Sequence, residues 1–247
     1  MKKAITGFFM SWGMFCAIPC PLKIWEENAK LYSVLFLPFI GAVIGCVWSF
    51  VAWVLGVINA PMLLAAAIIT AVPYLLSGFI HLDGFMDCSD AILSRRDLAE
   101  RQRILKDSHT GAFAVICVVI VFLIGFGSFA SLDDKNIWTL IFVSAAARCP
   151  SAIAVMSFRP IGHSGYAKSF EGTNKGYKIA AWCVLVLVAA LPVAIFGISG
   201  LCAVIAQIAA FLTILYGRQQ LGGMSGDISG YGITVGELVG AVALVLL

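Results

Sequence analysis

The chain has 247 residues, of which 61% are hydrophobic and only 12% are charged, and its formal net charge is +3. Soluble domains carry about 25% charged residues, so this composition excludes an ordinary soluble enzyme, a disordered protein and a nucleic-acid binder with a basic face. It favours a single domain, residues 1–247, built as a bundle of membrane helices.

Seven apolar segments approach the length of about 20 residues that a helix needs to cross a bilayer. In chain order they are residues 34–58, 61–82, 111–132, 137–158, 179–199, 201–216 and 233–247. Pro73 predicts a kink in the second segment, and the last segment is short and contains Glu237. The residues before the first segment are expected to form a retained, partly interfacial stretch. The predicted fold class is therefore all-α, a polytopic integral membrane helix bundle with six to seven transmembrane helices.

Basic residues concentrate on one side of this predicted bundle. The long loops, residues 83–110, 159–178 and 217–232, alternate with short ones and so share one side of the membrane. Together with the first thirty residues they hold nearly all of the 16 Lys and Arg, whereas the opposite side has Lys135 alone and Arg148 lies within an apolar segment. Because positive residues mark the cytoplasmic face, the long loops are predicted to face the cytosol.

Three aspartates follow the second segment at helical spacing. Asp83, Asp87 and Asp90 stand at i, i+4 and i+7, which places them on a strip about 60° wide on a helix. Carboxylates this close repel one another unless they are protonated or share a cation, and oxygen-only ligands favour Mg²⁺ or Mn²⁺ over zinc. The alternative is a solvated acidic helix end, or carboxylates paired with the nearby arginines. His81, at the membrane edge, is more typical of a hydrogen-bonded structural residue than of a ligand.

The segment 94–111 predicts an amphipathic cytosolic helix along the membrane. Ala91, Leu98 and Leu105 recur every seven residues, and Ser94 is a candidate N-cap with Asp97 at the third helical position. The charged face is basic, so it can lie on anionic lipid, dock phosphates, or do both.

Two polar side chains follow this helix at the edge of the third apolar segment. Asp107 could supply a fourth carboxylate to the aspartate cluster. His109 could act as a base, although a structural role is more typical of a histidine at a membrane interface.

Two further features suggest binding of phosphate. Arg148 lies at membrane depth, where an arginine faces a cavity or a counter-ion; a substrate phosphate is the predicted partner, and an ion pair with Glu237 is the alternative. In residues 222–227, successive glycines allow backbone N–H groups to converge on an anion, although a plain turn also explains them. Asp227, which follows the glycines, could bind a metal or a ribose hydroxyl.

These motifs together resemble one known family. His81-Leu-Asp-Gly-Phe-Met-Asp-Cys-Ser-Asp-Ala91, Arg103-Ile-Leu-Lys-Asp-Ser-His-Thr-Gly111, Ala147-Arg148 and Gly222-Gly-Met-Ser-Gly-Asp227 occur in the order seen in cobalamin synthases, the adenosylcobinamide-GDP ribazoletransferases of the vitamin B12 pathway. The amino-terminal Phe15-Cys-Ala-Ile-Pro-Cys-Pro21 is also similar. The chain departs from the family pattern at Ala17, where an arginine is expected, and at Ala91, where glycine is usual.

The resemblance implies a polytopic enzyme of the cytoplasmic membrane of a bacterium or archaeon. Such an enzyme joins adenosylcobinamide-GDP to α-ribazole or α-ribazole phosphate, releases GMP and requires Mg²⁺. It implies no nucleic-acid partner, while association with further copies or with other cobalamin-pathway enzymes is possible. The residues predicted to be both metal-binding and catalytic are Asp83, Asp87, Asp90 and Asp107. The residues predicted to bind substrate are Arg103, Lys106, His109, Arg148 and Asp227.

A membrane transporter of ions or metals is the alternative from another functional class. Intramembrane charges such as Arg148 and Glu237, together with an acidic cluster, are also found in carriers. Carriers place their acidic residues near the middle of the bilayer, whereas the aspartates here are predicted at one edge. This difference favours the enzyme.

Overall fold

The computed structural model describes residues 2–132, 136–162, 165, 169–170 and 172–247. Within these residues the chain forms helices and turns, with one isolated bridge between Pro160 and Met224 and no strand. The helices are α1 (Lys2–Phe15), α2 (Lys30–Leu35), α3 (Leu37–Val57), α4 (Met62–Leu76), α5 (Ile80–Leu93), α6 (Leu98–Ile104), α7 (Ala112–Ala130), α8 (Leu140–Ser157), α9 (Lys175–Phe196), α10 (Leu201–Leu221) and α11 (Gly226–Leu246). Lys135, which entered the charge argument above, lies outside the described residues.

Five helical stretches are long and apolar enough to cross a membrane, and the bent pair α4–α5 makes a sixth if it counts as one span. The five are Leu37–Val57, Ala112–Ala130, Ile137–Ser157, Lys175–Leu221 and Gly226–Leu246. The longest of them is a hairpin, because α9 and α10 are separated by a short 3₁₀ turn and fold back on each other. Gln207 Nε2 on α10 donates to the Leu185 carbonyl oxygen on α9 at 3.3 Å. The prediction of an all-helical, multi-pass membrane protein is confirmed.

The helix α8 forms the centre of the bundle. Nearly every residue from Leu140 to Met156 is buried, and α3, α9, α10 and α11 pack around it. Its run of alanines, Ala145 to Ala147, allows neighbouring backbones to approach closely, as small residues do in membrane helix interfaces. By contrast, α9 buries only Ala181 and Pro192 and therefore lies at the periphery, against lipid.

The second predicted span, residues 61–82, is wrong as a single helix with a kink at Pro73. Pro73 lies inside α4 and does not end it. The chain instead breaks at residues 77–79, where Gly78 and Phe79 both have φ of +62°, and α5 leaves at 91° to α4. The left-handed conformation at two successive residues ends the helix. As a result, the aspartates lie on a separate helix after a sharp bend, and not on the end of a straight span.

The last apolar segment is longer than residues 233–247. The helix α11 begins at Gly226 and has 21 residues, so the predicted loop 217–232 shrinks to the few residues between α10 and α11. Glycine disfavours an isolated helix, but here it permits tight packing. A Cβ at Gly232 would lie 2.5 Å from Ile214, and one at Gly236 would lie 2.8 Å from the Ala206 carbonyl oxygen. Packing against α10 therefore overrides the local propensity.

The predicted amphipathic helix between the second and third spans is also shorter than expected. It is α6, a helix of seven residues whose N-cap is Asp97, which accepts a hydrogen bond from the Glu100 N–H at 2.9 Å. Ser94, the predicted cap, instead donates to the Ala91 carbonyl oxygen at the end of α5. The α6 helix is tied to the end of α10 by hydrogen bonds from Arg101 and Gln102 to Gln220 and the Leu221 carbonyl oxygen.

Candidate active site

Asp83 and Asp87 on α5 lie beside Asp227 in the first turn of α11. The two helices cross with their backbones almost in contact. A Cβ at Gly84 would lie 2.8 Å from the Cα and the carbonyl oxygen of Asp227. A glycine is therefore required at this crossing, and its absence of a side chain lets Asp227 approach the α5 carboxylates.

Electrostatic coupling links these carboxylates. Asp87 is half-buried and lies close enough to Asp83, Asp90 and Asp227 for their charges to act on it, and Asp83 also acts on Asp227. Asp83 is exposed, whereas Asp227 is half-buried and accepts a hydrogen bond from Ser225 Oγ at 3.2 Å. Several carboxylates in one place disfavour full ionisation and favour a bound cation. Asp227, which the sequence placed outside the Asp83–Asp90 strip, is thus a member of this cluster.

Asp90 faces a different neighbour from the other two α5 aspartates. Its carboxylate accepts hydrogen bonds from the backbone N–H groups of Gly111 at 2.6 Å and of Ala114 at 3.0 Å. These are unpaired donors at the beginning of α7, where a negative charge also complements the helix dipole. Both oxygens of Asp90 are therefore engaged in capping α7, and this contact fixes α5 to α7. Its predicted role as a metal ligand stays a prediction.

Asp107 is engaged by the residues of its own segment. His109 Nδ1 lies 2.7 Å from Asp107 Oδ1, the His109 N–H donates to the same oxygen at 3.1 Å, and Arg103 lies 3.8 Å from Oδ2. These hydrogen bonds from His109, helped by the Arg103 charge, hold the pKa of Asp107 below its ordinary value. None of the described charge interactions of Asp107 or Asp87 joins the two carboxylates.

The predicted substrate-binding residues of the α6 region are exposed to solvent. Arg103 donates two hydrogen bonds to Glu100, at 2.9 and 2.8 Å, so its guanidinium is already partly occupied. Lys106 and His109 are exposed. This surface presents positive charge to solvent.

Arg148 pairs with Glu237, the alternative that the sequence left open. Arg148 Nη1 lies 2.6 Å from Glu237 Oε1 and donates to both oxygens of Ser144. Arg148 is fully buried and Glu237 is 3% exposed. The protein itself therefore supplies the counter-ion that a charge inside a membrane requires, and the predicted contact of Arg148 with a substrate phosphate stays a prediction. Nε and Nη2 of Arg148 have no hydrogen-bond partner among the described residues.

The glycine-rich segment before α11 is a connection between helices and not an anion cradle. Gly222 has φ of +76° and ends α10, and both it and Gly223 donate to the Arg218 carbonyl oxygen. The Met224 N–H donates to the Arg159 carbonyl oxygen at 2.8 Å. Because these N–H groups are already paired, they do not converge on a ligand. Ser225 caps α11 by accepting from the Ile228 N–H at 3.3 Å.

A cavity of about 240 Å³ opens beneath the carboxylates, between α1, α5 and α11. Asp83 and Asp227 both line it, as do the buried residues His81 and Ser229. The sequence did not indicate this cavity, because its walls come from segments that are more than two hundred residues apart in the chain.

The donor chemistry of the cluster fits a magnesium ion. Among the described residues, no group of three or more His, Cys, Asp and Glu is already placed as a metal centre. Mg²⁺ does not require such a cage, since proteins usually hold it by one or two carboxylates, with water and substrate phosphates completing the shell. Asp83 and Asp227, which share one cavity, with Asp87 beside them, provide oxygen ligands of this kind.

Comparisons with known proteins place the chain in a family. The family described as Cobalamin-5-phosphate synthase matches residues 7–245. The chain belongs to this family. A cobalamin-5-phosphate synthase relative from Clostridium perfringens (strain 13 / Type A), named adenosylcobinamide-GDP ribazoletransferase, is 40% identical over 248 residues, with 99% of each chain covered.

Two other similar proteins carry the same name. The protein from Clostridium botulinum (strain Alaska E43 / Type E3) is 38% identical, with 97% of each chain covered. The protein from Halalkalibacterium halodurans is 28% identical, with 96% of this chain and 94% of its own length covered. No solved structure matches the chain.

Proposed function

We propose that this protein is an adenosylcobinamide-GDP ribazoletransferase, which joins adenosylcobinamide-GDP to α-ribazole or α-ribazole phosphate. The observation that carries the proposal is full-length similarity, at 40% identity, to a relative of that name. The cluster of Asp83, Asp87 and Asp227 at one end of the bundle supports it, because phosphoryl transfer depends on positioning and charge neutralisation. The transporter alternative loses its main support, since the intramembrane charges of Arg148 and Glu237 neutralise each other.

The reaction replaces one bond to phosphorus by another. A ribose hydroxyl of α-ribazole, or of α-ribazole phosphate, attacks the phosphorus that carries the corrinoid arm of adenosylcobinamide-GDP. The phosphoanhydride bond to GMP breaks, GMP leaves with the bonding electrons, and the product is adenosylcobalamin or its 5′-phosphate. The hydroxyl proton passes to a carboxylate, for which Asp83 and Asp227 are the candidates because they line the cavity.

We infer that Asp83 and Asp227 would hold Mg²⁺, with the charge of Asp87 beside them. When bound, the ion supplies charge neutralisation for the diphosphate oxygens. The carboxylates position the reacting groups at the edge of the bundle, and the exposed Arg103, Lys106 and His109 place donors on the same face, where the diphosphate approaches. Asp90 and Asp107 support this arrangement through the contacts that fix α7 and the α6–α7 connection.

Release of GMP tests the function directly. Detergent-solubilised protein, mixed with adenosylcobinamide-GDP, α-ribazole and millimolar MgCl₂, is expected to release GMP and form adenosylcobalamin in equal amounts, measured by liquid chromatography. EDTA is expected to stop the release, and excess Mg²⁺ to restore it. Release without Mg²⁺ would contradict the metal assignment, and GMP formation without α-ribazole would indicate a hydrolase instead.

We further propose that the aspartate cluster and α6 face the cytosol of the producing cell. In a variant without reactive cysteines, Arg96→Cys before α6 is expected to react with a membrane-impermeant maleimide only after the cells are opened. Ser131→Cys, at the opposite end of α7, is the matched control and is expected to react in intact cells. Labelling in the reverse pattern would invert the orientation. Association with further copies or with other enzymes of the pathway stays a prediction.

A further inference from the structure

The cavity beneath the carboxylates has two kinds of wall. Phe15, Leu37 and Ile233 make one side apolar, while His81 and Ser229 make the other side polar. The rings of Phe15 and His81 lie nearly parallel, with centroids 5.9 Å apart and 18° between their planes. A flat, mostly apolar ligand that carries few hydrogen-bonding groups matches such walls.

Two buried polar atoms at this cavity have no hydrogen-bond partner among the described residues. They are His81 Nε2 and Ser229 Oγ, in side chains of residues that are 5% and 8% exposed. Buried polar groups are nearly always paired, and an unpaired one in a native structure calls for an explanation. A ligand that offers an acceptor on this side of the cavity would satisfy at least one of the two atoms.

The interior of the cavity carries no net positive charge that would attract an anion. Arg148 is the nearest described cation whose charge acts on His81, and Glu237 neutralises it at 2.6 Å. The negative groups, Asp83 and Asp227, lie at the solvent side of the cavity. The part of the ligand that enters the cavity should therefore be neutral, while its charged or reacting part stays at the carboxylates.

The volume of the cavity limits which part of the two substrates can enter it. Pockets for drug-sized ligands have volumes of about 300–1,000 Å³, so 240 Å³ is enough for a fused two-ring base and far too small for a corrin. Guanine fits by size, but its several donors and acceptors do not match the apolar wall. The dimethylbenzimidazole base of α-ribazole is flat and neutral, with a single imine nitrogen as acceptor and two methyl groups.

We propose that this cavity binds the benzimidazole base of α-ribazole, an assignment that rests on the proposed function and extends it. The imine nitrogen accepts a hydrogen bond from His81 Nε2–H, which assigns that tautomer to His81. The methyl groups contact the apolar side formed by Leu37 and Ile233. With the base held there, the ribose projects toward Asp83 and Asp227, and its hydroxyl meets the candidate proton acceptors. His81 and Ile233 then determine which base the enzyme accepts.

A substitution that narrows the cavity tests the assignment. Ile233→Phe is expected to raise the KM for α-ribazole about tenfold or more, because a methyl-sized misfit in an apolar pocket has an effect of this order. The KM for adenosylcobinamide-GDP is expected to stay within about twofold of wild type, because its guanine and corrin are not assigned to this cavity. The KM for the riboside of benzimidazole without its methyl groups should rise less. The variant should therefore prefer this riboside to α-ribazole, the reverse of the preference expected for the wild-type protein. Ile69→Phe is the matched control, since Ile69 is also buried but lines a cavity at the other end of α4.

Leu37→Phe serves as a second narrowing variant if Ile233→Phe does not fold, and the same change of preference is expected. An unchanged preference between the two ribosides, with wild-type turnover intact, would overturn the base assignment alone. A rise confined to the KM for adenosylcobinamide-GDP would also overturn it, and would place guanine in the cavity. Absence of GMP release by the wild-type protein would overturn the proposed function, and with it this assignment.

Discussion

Asp83→Asn is expected to lower kcat for GMP release by about a thousandfold, comparable to the loss of a key group that stabilises the transition state. The reason lies in the position of Asp83, which lines the cavity together with Asp227 and acts electrostatically on Asp87. An amide at this position cannot neutralise a cation or accept the hydroxyl proton. The measurement is steady-state GMP release at saturating substrates and Mg²⁺, with thermal unfolding in detergent to confirm an intact fold.

Asp97→Asn is the matched control for this variant. Asp97 is exposed and caps α6 through one hydrogen bond, and asparagine caps a helix as well as aspartate does. Because asparagine retains the capping hydrogen bond, the activity of Asp97→Asn is expected to stay within about twofold of wild type. Near-normal turnover by Asp83→Asn at modest Mg²⁺ would show that the aspartate cluster does not bind the ion.

Glu237→Leu is expected to destabilise the protein by about 3–5 kcal/mol, the usual effect of breaking a buried ion pair. Arg148 is fully buried, and without Glu237 its positive charge has no counter-ion. A guanidinium cannot lose its proton to escape this cost. Thermal unfolding in detergent measures the effect. Glu26→Leu provides the control, because it makes the same change at an exposed position.

The double variant Arg148→Leu, Glu237→Leu separates stability from catalysis. It is expected to unfold at a higher temperature than Glu237→Leu, because apolar residues in place of a whole buried pair are often neutral or stabilising. If Glu237→Leu were as stable as wild type but had a raised KM for adenosylcobinamide-GDP, the result would support the predicted contact of Arg148 with a substrate phosphate.

The sequence by itself determined the helical membrane fold, since its composition leaves no polar surface for a soluble domain and its apolar segments have the length of membrane spans. It also determined that Asp83 and Asp87 share a helix face, because a spacing of four residues always does so. Hydrophobicity and helical periodicity are local properties, and a chain read in order displays them.

Only the tertiary structure decided where the helices end and which side chains meet. The break at Gly78 and Phe79 and the helical state of the glycine-rich start of α11 depend on contacts with other helices. The pairing of Arg148 with Glu237 joins residues far apart in the chain, as does the approach of Asp227 to α5 through Gly84. Packing between distant segments has no local signature, so the sequence could name the charged residues without assigning their partners.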